Sequence, residues 1–371
     1  MKLGFDAKRL FHNRTGLGNY SRNLVEIISD YYPNNEYILF NNKDKNNISF
    51  ESQNNMKIET PKGILKKLHF LWRSYFVTKE TSFNQIDIFH GLSGEIPFGI
   101  SPHIKKIVTI HDLIFVRYPE LYSYWDKETH IWKHKYAAKK ADVVVAVSQQ
   151  TKNDLIEYFK IPEDKIKVVY QGCSNLFKKE IEEKELNLVK EKYNLPDQFI
   201  LNVGTIEERK NVLTLVKVIK DLDIPLIIIG KKTKYTDKVI EYIEENNLQN
   251  RVIILQNILI EELVVFYQLA TVFVYPSVFE GFGIPIIEAL YSGTPVITNK
   301  EGVFHESGGP SSCYVDVTNV DELINALQYL LENPDVRNKM VIEGKEFVKK
   351  FDNENIALEW NEVYSKCLLN K

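Results

Sequence analysis

The chain has 371 residues, which is too long for one ordinary hydrophobic core and indicates two domains. Its 44% hydrophobic content is typical of soluble globular proteins, and a net charge of −3 gives no global field that would recruit nucleic acid. The sequence shows no CxxC pair, no signal-peptide core and no apolar run of about 18 residues, so we expect a cytoplasmic protein without a disulfide framework or zinc site.

Short apolar runs alternate with helical patterns in the first half, which predicts a parallel sheet covered by helices. The predicted strands are 2–7, 37–41, 86–90, 106–111, 143–147 and 167–170. The predicted helices are 19–31, 64–79, 124–140 and 149–159.

A Gly-x-Gly turn follows the first predicted strand. Gly16 and Gly18 come just before a predicted helix, where free backbone amides can cradle a phosphate, and Arg9 and Arg14 flank them. The fuller dinucleotide fingerprint is absent because Ser21 occupies the third glycine position, so a plain loop stays an alternative.

Two histidines end neighbouring predicted strands. His111 closes an apolar run and should point toward the edge where the strands end, although a histidine at such a place is often structural. His90 offers a second candidate polar group on the same rim.

Two segments have the composition of surfaces that contact a partner, either a membrane or a sugar. Residues 62–79 are basic, aromatic and amphipathic, so they form either a helix that rests on an anionic membrane or a core helix with a cationic outer face. Residues 125–140 carry Trp125, Trp132, His130 and His134, whose rings stack on sugars or pack internally.

The pattern lapses into a charged linker and a short helix at 171–196, and a second α/β series begins at Phe199. Its predicted strands are 199–203, 225–229, 252–255, 272–275, 295–298 and 312–315. Its predicted helices are 212–222, 236–246, 260–269, 285–292, 320–332 and 335–351, with a last helix at 354–369. Two doubly wound domains in tandem predict a ligand in a cleft between them.

A basic turn follows the first strand of this second series. Gly204 permits a sharp exit from the strand, and Arg209 and Lys210 are adjacent cations that suit a diphosphate. Asn211 is expected to cap the following helix. A solvated basic turn is the alternative.

The most informative stretch is 279–290. Glu280 and Glu288 enclose two glycines and a proline after an apolar strand, which places free amides near a helix start and a carboxylate about one turn inside the helix. Amides suit phosphate and carboxylates suit hydroxyls, so the pattern indicates a nucleotide-sugar site. A metal site has little support, because Asp221 and Asp223 precede their strand instead of following it.

These motifs carry a family resemblance. The Gly-Thr-x-x-x-Arg-Lys-Asn turn, the Pro-Ser-x-x-Glu-Gly-Phe-Gly-x-Pro-x-x-Glu-Ala stretch, the first Gly-x-Gly turn and Ile-His-Asp-Leu resemble retaining GT-B glycosyltransferases of the glycosyl transferases group 1 family. The resemblance implies two Rossmann-like domains facing each other across a cleft. It assigns 1–175 to the acceptor, 176–353 to the nucleotide sugar, and 354–371 to a helix that packs back on the first domain.

The resemblance also implies roles. Arg209 and Lys210 would hold the donor diphosphate, Glu288 the ribose, and Glu280 the donor sugar; His111 would contact that sugar near the reacting carbon. The catalytic set is then His111, Glu280, Arg209 and Lys210. The donor-binding set is Gly16, Gly18, Gly204, Thr205, Arg209, Lys210, Glu280, Gly281, Phe282, Gly283, Ile284 and Glu288.

Two departures from the family pattern affect the donor. Many members carry Arg at the position of Thr205, so that phosphate contact is either missing here or supplied by Arg209. Many also have a glycine near 255–258, a loop that often lies by the base, which leaves the base open.

The expected activity is transfer of a hexose, with mannose favoured, to a glycan or lipid-linked glycan in surface polysaccharide synthesis. The donor would be GDP-mannose, or alternatively a UDP-sugar that carries glucose or N-acetylglucosamine. We expect retention at the anomeric carbon, no metal requirement, and a location in the cytoplasm with peripheral membrane contact through 62–79. A GT-B nucleotide-sugar epimerase and a non-catalytic sugar-binding protein stay alternatives.

Overall fold

The structure is a computed structural model that describes residues 1–44, 48, 50 and 52–369. Its backbone divides into two compact units. Unit 1 comprises Met1–Gly172 and Phe351–Lys371, and unit 2 comprises Cys173–Lys350.

Unit 1 is built on a parallel sheet. Its seven strands in the described residues are β1 (Lys2–Asp6), β2 (Glu36–Phe40), β3 (Met56–Glu59), β4 (Ile88–Gly91), β5 (Lys105–Ile110), β6 (Val143–Ala146) and β7 (Ile166–Val168). They lie in the order β3-β2-β1-β4-β5-β6-β7. The sequence missed β3, because this edge strand exposes both Lys57 and Ile58 and therefore lacks the buried apolar signal.

Helices cover this sheet. In the first segment of unit 1, Met1–Gly172, the helices are α1 (Lys8–His12), α2 (Gly16–Tyr31), α3 (His69–Leu71), α4 (Ile114–Arg117), α5 (Tyr124–Lys140) and α6 (Gln149–Phe159). Short 3-10 turns lie at Phe83–Gln85, Pro119–Leu121 and Glu163–Lys165. Ser123 and Ser148 cap α5 and α6. Each serine side chain accepts the backbone N–H of the third residue of its helix, which explains why those helix starts were predictable.

The prediction of one helix at 64–79 is wrong. The segment consists of a 3-10 turn (Gly63–Lys66), α3, a π turn (Trp72–Phe76) and a second 3-10 turn (Val77–Lys79). Trp72 is fully buried and donates its indole N–H to Glu80, while Arg73 pairs with Asp6 and Glu95. Two consecutive side chains therefore point into the unit, which the wider π turn accommodates.

Unit 2 repeats the architecture. The strands found in its described chain are β8 (Ile200–Val203), β9 (Leu226–Ile229), β10 (Val252–Leu255), β11 (Val272–Tyr275), β12 (Val296–Asn299) and β13 (Cys313–Val315). They are all parallel and lie in the order β10-β9-β8-β11-β12-β13. Both β9 and β11 are buried along their full length, as the continuous apolar runs predict.

The helices of unit 2 alternate with these strands. They are α7 (Glu183–Tyr193), α8 (Val212–Ile219), α9 (Tyr235–Glu245), α10 (Ile260–Leu269), α11 (Ile284–Tyr291), α12 (Phe304–Gly308), α13 (Val320–Glu332) and α14 (Pro334–Val348). Further 3-10 turns lie at Asn175–Lys178, Glu208–Lys210 and Lys349–Phe351.

The chain ends in α15 (Asn353–Leu369), which belongs to unit 1. Its Ile356, Trp360 and Tyr364 are buried in the same core cluster as Leu3 and Phe5 of β1. No helix in the described part of the chain is long and apolar enough to cross a membrane.

Each sheet has a strand at which the order of connection reverses. In unit 1 this strand is β1, between β2 and β4; in unit 2 it is β8, between β9 and β11. Ligands of open parallel sheets bind beyond the carboxyl ends of the strands at such points. The residues after β8 and β11 are therefore the first place to look for a site in unit 2.

Candidate active site

The loop between β11 and α11 carries Glu280, and Glu288 lies one turn inside α11. Gly283 immediately precedes the helix with φ 104°, a backbone conformation that favours glycine, and Pro285 lies in the first turn. In the described residues no side chain caps this helix start, so the positive end of the helix dipole lies in the stretch of chain between the two carboxylates.

The turn after β8 is held against the end of β9. Gly204 has φ 152° and donates its N–H to the carbonyl of Ile229 at 2.9 Å. A Cβ on Gly230 would lie 1.7 Å from the Gly204 carbonyl oxygen, so only glycine fits at 230. This close approach fixes the path of the chain through Thr205 toward Arg209.

Asn211 is the N-cap residue of α8, as predicted, but its side chain makes no capping bond to a helix amide. Asn211 occupies the cap position but has φ 54°, and its amide side chain donates to the Val317 carbonyl at 2.7 Å while accepting from Thr214 Oγ1 at 2.6 Å. Its side chain thus links the turn to the segment after β13 instead of satisfying a helix amide.

Four donors converge on one oxygen of Glu280. Its Oε1 accepts from Lys210 Nζ at 2.5 Å, Ser277 Oγ at 2.6 Å, Arg209 at 2.8 Å and the Tyr275 hydroxyl at 3.1 Å. The two strand-end segments predicted from the sequence therefore meet directly, with a carboxylate from one neutralising both cations from the other.

The charges in this cluster control one another. Burial opposes ionisation of Glu280, but Arg209 and Lys210 outweigh it and lower the pKa of Glu280 to about 2. Burial lowers the pKa of Lys210, while Glu280 acts in the opposite direction. Arg209 also pairs with Glu207 at 2.6 Å, so each cation is held in place by a carboxylate.

Glu288 has a different environment. The Tyr267 hydroxyl donates to Glu288 Oε2 at 3.1 Å. Burial raises the pKa of Glu288 to about 7, against the lowering effect of that hydrogen bond. Burial also raises the pKa of Tyr275, and both Glu280 and Glu288 add to this shift, so the two carboxylates flank one tyrosine.

The remaining predicted donor residues line the same loop. Gly281 and Ile284 are half-buried, whereas Phe282 is buried. The edge therefore combines two cations for an anion with two carboxylates for hydroxyls.

In unit 1, His111 has both ring nitrogens engaged. Its Nε2 donates to the Leu92 carbonyl at 2.9 Å, and its Nδ1 accepts from the Gln171 amide at 3.0 Å. Burial lowers the pKa of His111 to about 4, so the ring is neutral at physiological pH. The ring also contacts Tyr20 edge-on, with centroids 4.6 Å apart.

The Gly-x-Gly pair lies inside a helix and not in a turn before it. Helix α2 begins at Gly16, three residues earlier than predicted, so both glycines belong to its first turn. A Cβ on Gly18 would lie 1.8 Å from the Asn13 carbonyl oxygen, whereas one on Gly16 would meet open space. Gly18 thus allows the preceding turn to pack against the helix.

The suggestion that His90 lies on a ligand-facing rim is wrong. His90 is fully buried and bonds the Tyr364 hydroxyl at 3.0 Å and Thr109 Oγ1 at 2.8 Å. Its ring also packs on Trp360, with centroids 4.8 Å apart. It joins the sheet of unit 1 to α15.

The described residues were also compared with the side-chain arrangements that bind metal ions. Among the described residues, no group of three or more His, Cys, Asp or Glu side chains is arranged to hold a metal ion. Asp221 and Asp223 are exposed in the connection that leads into β9.

Several functional neighbours were missed from the sequence. Tyr275, Ser277, Tyr267 and Glu207 bond directly to the predicted charged residues, and Gly230 shapes the turn beside them. Gly230 had a usable signal, since it directly follows a buried strand. The tyrosines had none, because a tyrosine in an apolar run resembles any core residue.

Comparison with known proteins agrees with the geometry. Residues 179–347 match the family described as Glycosyl transferases group 1, and residues 38–174 match Glycosyltransferase Family 4. The chain is 25% identical to O-antigen chain mannosyltransferase B of Escherichia coli over 390 aligned positions, which cover 98% of this chain and 99% of that protein. It is 29% identical to O-antigen chain mannosyltransferase RfbU of Salmonella typhimurium over 68% of this chain and 67% of that one.

Solved structures share the fold. A sucrose-phosphate synthase from Thermosynechococcus elongatus matches with a TM-score of 0.81 and 22% identity over 100% of both chains. The Anabaena protein HepE, solved in complex with UDP and glucose, matches with a TM-score of 0.75 and 17% identity over 99% of this chain and 100% of that one. The two α/β units of this chain are therefore two Rossmann-like domains with the GT-B fold.

Proposed function

We propose that this chain, which carries a Glycosyl transferases group 1 domain at 179–347 and a Glycosyltransferase Family 4 domain at 38–174, moves a hexose from a nucleoside diphosphate sugar to a glycan or lipid-linked glycan acceptor. The observation that carries the proposal is the convergence of Arg209, Lys210 and Ser277 on Glu280, with Glu288 beside them at the carboxyl edge of the unit 2 sheet. This set matches the two needs of a nucleotide sugar, an anion to be neutralised and hydroxyls to be bonded.

In this proposal Arg209 and Lys210 hold the donor diphosphate. Both cations are held by carboxylates, so an incoming diphosphate competes with Glu280 for them. Once released, Glu280 can accept hydroxyls of the donor sugar, together with the amides of 281–284. Glu288 accepts the ribose hydroxyls. Gly204 and Thr205 let the backbone approach the phosphates.

Residues of unit 1 complete the assignment. We assign Gly16 and Gly18 to contact with the donor phosphates through the first turn of α2, and His111 to the donor sugar. The neutral His111 ring would have to exchange its bond with Leu92 or Gln171 to use a nitrogen. Otherwise it contacts the sugar through its face or edge.

The proposed chemistry is cleavage of the bond between the sugar and the diphosphate. Negative charge accumulates on the leaving group, and fixed cations at that position stabilise the transition state more than the ground state. We propose retention at the anomeric carbon by front-face attack of the acceptor hydroxyl, since in this proposal the released Glu280 binds hydroxyls of the donor sugar and does not attack its anomeric carbon.

Mannose is the favoured sugar and GDP the favoured nucleotide. Support comes from relatives that are named mannosyltransferases, one of which aligns with this chain over 99% of its own length. UDP is the alternative, since UDP is present in the HepE structure that shares the fold. This chain has Thr205 where many family members carry an arginine. In the proposal, Arg209 is therefore the second cation, beside Lys210, that binds the phosphates of either nucleotide.

A membrane contact through 62–79 is part of the proposal. Ile64 is 74% exposed and Phe70 56% exposed, and the same segment carries the exposed Lys62, Lys66 and Lys67. Apolar side chains among lysines suit the surface of an anionic bilayer. Such contact would bring a lipid-linked acceptor to the enzyme.

A ligand screen tests the proposal. Thermal shifts of the full chain are measured with GDP, UDP, ADP and their sugars, because a ligand that binds the folded state raises the melting temperature. We expect GDP and GDP-mannose to give the largest shifts. A larger shift with UDP would change the nucleotide, and no shift with any of the set up to millimolar concentration would contradict the function.

A further inference from the structure

One side chain from the predicted linker bonds directly to His111. Gln171 stands at the start of the stretch 171–196, yet it is only 4% exposed. Its amide nitrogen lies 3.0 Å from His111 Nδ1. Both residues belong to unit 1, so the contact is made within one compact unit.

The bonding partners decide which nitrogen of the neutral His111 ring carries the proton. Nε2 lies 2.9 Å from the Leu92 carbonyl oxygen, which can only accept, so the proton is on Nε2. A neutral imidazole has one N–H, so Nδ1 is an acceptor and the Gln171 amide donates to it. The two contacts therefore select one tautomer and one orientation of the ring.

The backbone holds both ends of this contact. The Val169 N–H donates to the Ala146 carbonyl at 3.1 Å, which continues the pairing of β6 and β7 to the second residue before Gln171. At the other end, Thr151 Oγ1 donates to the His111 carbonyl at 3.1 Å. The bond thus joins two fixed parts of unit 1 and is not a chance meeting of surface side chains.

Burial keeps the His111 ring uncharged. It lowers the pKa of His111 to about 4; the backbone bond and Asp112 act against this shift, whereas His134 and Arg9 add to it. A hydrogen bond to the neutral form of a group also opposes its protonation. The Gln171 amide therefore acts in the same direction as burial, at the one nitrogen that a second proton would occupy.

A neutral ring suits a side chain that contacts a donor sugar. Positive charge develops on the sugar as its bond to the diphosphate breaks, so a cationic neighbour would raise the barrier. We propose that Gln171 is a positioning residue for sugar transfer, whose amide fixes the orientation of His111 and keeps its Nδ1 unprotonated. The inference rests on the proposed function, because it takes His111 as the group that contacts the donor sugar. With both nitrogens bonded, the ring offers the sugar its face or edge.

Two substitutions of similar length separate positioning from packing. Gln171→Met removes the amide donor without adding charge, whereas Gln171→Glu replaces the donor with an acceptor that bonds to a protonated Nδ1. A residue that only fills space would respond to both changes to the same extent. A positioning residue predicts that the glutamate is worse, because it alone favours a cationic His111 ring.

The ring nitrogens are observed directly by ¹⁵N NMR of the histidine-labelled full chain at pH 7, with His111→Phe to identify the signals. We expect wild type to carry one ring proton, on Nε2. Gln171→Met should move the Nδ1 signal more than the Nε2 signal, since only Nδ1 loses a partner. Gln171→Glu should protonate both nitrogens.

The rate of GDP release from GDP-mannose should follow the charge of the ring. At pH 7, Gln171→Glu should be at least about tenfold slower than Gln171→Met. The introduced carboxylate raises the pKa of His111, so the ring loses its second proton, and the rate recovers, as pH rises toward 9. GDP affinity should be unchanged in both variants, because neither substitution alters a group that we propose binds the nucleotide.

Gln85→Glu is the control, because it adds the same charge to unit 1 at an exposed position. Gln85 ends the 3-10 turn before β4, whereas His111 follows β5. These two strands are parallel neighbours, so the two residues lie at opposite edges of the sheet. Gln85→Glu should therefore keep the wild-type His111 signals and the wild-type rate.

Three outcomes would overturn the inference: a His111 ring that stays neutral in Gln171→Glu, an Nδ1 signal that Gln171→Met does not move, or equal rates for the two variants at pH 7. If Gln171→Glu does not fold, the Nδ1 signal of Gln171→Met decides alone. The NMR result needs no donor, which separates it from the proposed function. A wild type that binds no nucleotide in the thermal-shift screen contradicts that function, whatever the ring nitrogens show.

Discussion

Lys210→Ala is the sharpest perturbation of the candidate active site. The Lys210 side chain is 12% exposed and bonds both Glu280 Oε1 and the Tyr275 hydroxyl at 2.5 Å, so it is a fixed cation in a partly water-excluded position. Loss of one such stabilising group costs about 2–4 kcal/mol of transition-state stabilisation. That energy corresponds to a rate of donor cleavage about 30- to 900-fold lower.

The fold should survive this change. Removing one partner of a buried ion pair costs about 3–5 kcal/mol when the other charge is left alone. Here Glu280 keeps Arg209, Ser277 and Tyr275, so we expect the cost to be well below that range and the melting temperature to fall by a few degrees.

The assay is release of GDP from GDP-mannose, with melting temperature measured on the same samples. Lys217→Ala is the control, because Lys217 is an exposed lysine whose Nζ lies over the Tyr242 ring at 5.9 Å, much as Lys210 Nζ lies over Tyr275 at 4.8 Å. Lys217→Ala should keep the wild-type rate. A Lys210→Ala rate within threefold of wild type, with an intact fold, would remove the diphosphate role of Lys210.

Three further predictions follow from particular contacts. Because burial raises the pKa of Glu288 to about 7, GDP affinity should fall as pH drops from 8 to 6 and the carboxylate that we propose binds the ribose becomes protonated. Isothermal titration should show that this loss vanishes in Glu288→Gln. Its midpoint should move upward in Tyr267→Phe, which lacks the bond that lowers the pKa. Gly18→Ala should lower the free energy of unfolding in urea by about 1–3 kcal/mol, since the new Cβ would lie 1.8 Å from the Asn13 carbonyl oxygen. Gly16→Ala should not lower it, because its Cβ meets open space. Equal effects of the two substitutions would contradict the packing role of Gly18. Ile64→Ser should reduce sedimentation with anionic vesicles, while Ile342→Ser, which alters a residue of similar exposure in unit 2, should leave it unchanged.

The sheets were largely predictable because their strands are buried on both faces. Runs such as Leu226–Ile229 and Val272–Tyr275 are continuously apolar, and such runs alternating with helical periods allow few arrangements other than a parallel sheet. The edge strand β3 escaped prediction for the complementary reason: it has one neighbour and exposes the adjacent Lys57 and Ile58, so its formation depends on pairing with β2 and not on its own pattern.

The prediction of one helix at 64–79 failed because the structure of this segment is decided by residues distant in the sequence. Its apolar spacing is compatible with one regular helix, and nothing local indicates a π turn. Arg73 bonds Asp6, 67 positions earlier, and Glu95, 22 positions later. A helix that satisfied only local periodicity would not also place Trp72 in the core, so the tertiary ion pairs override the local preference.

His90 and His111 show most clearly what could not be predicted from the sequence. Each ends an apolar run on adjacent strands, and the sequence assigned both to a rim. His90 is the third residue of β4, while His111 lies one residue beyond β5, and successive side chains of a strand alternate between faces. The face of His90 is covered by Trp360 and Tyr364, which come about 270 positions later in the chain and which no local pattern connects to it.

The same reasoning applies inside the candidate site. Sequence analysis found the residues whose types are unusual in their positions: adjacent cations, paired carboxylates and glycines beside strand ends. Tyr275 and Ser277 have ordinary types, and their importance arises only because they converge with Arg209 and Lys210 on one oxygen of Glu280. Since that oxygen balances both cations, a change at Tyr275 or Ser277 alters the competition between Glu280 and a diphosphate without removing any charge. We therefore expect donor affinity to depend partly on neutral residues that a search for charged motifs does not detect.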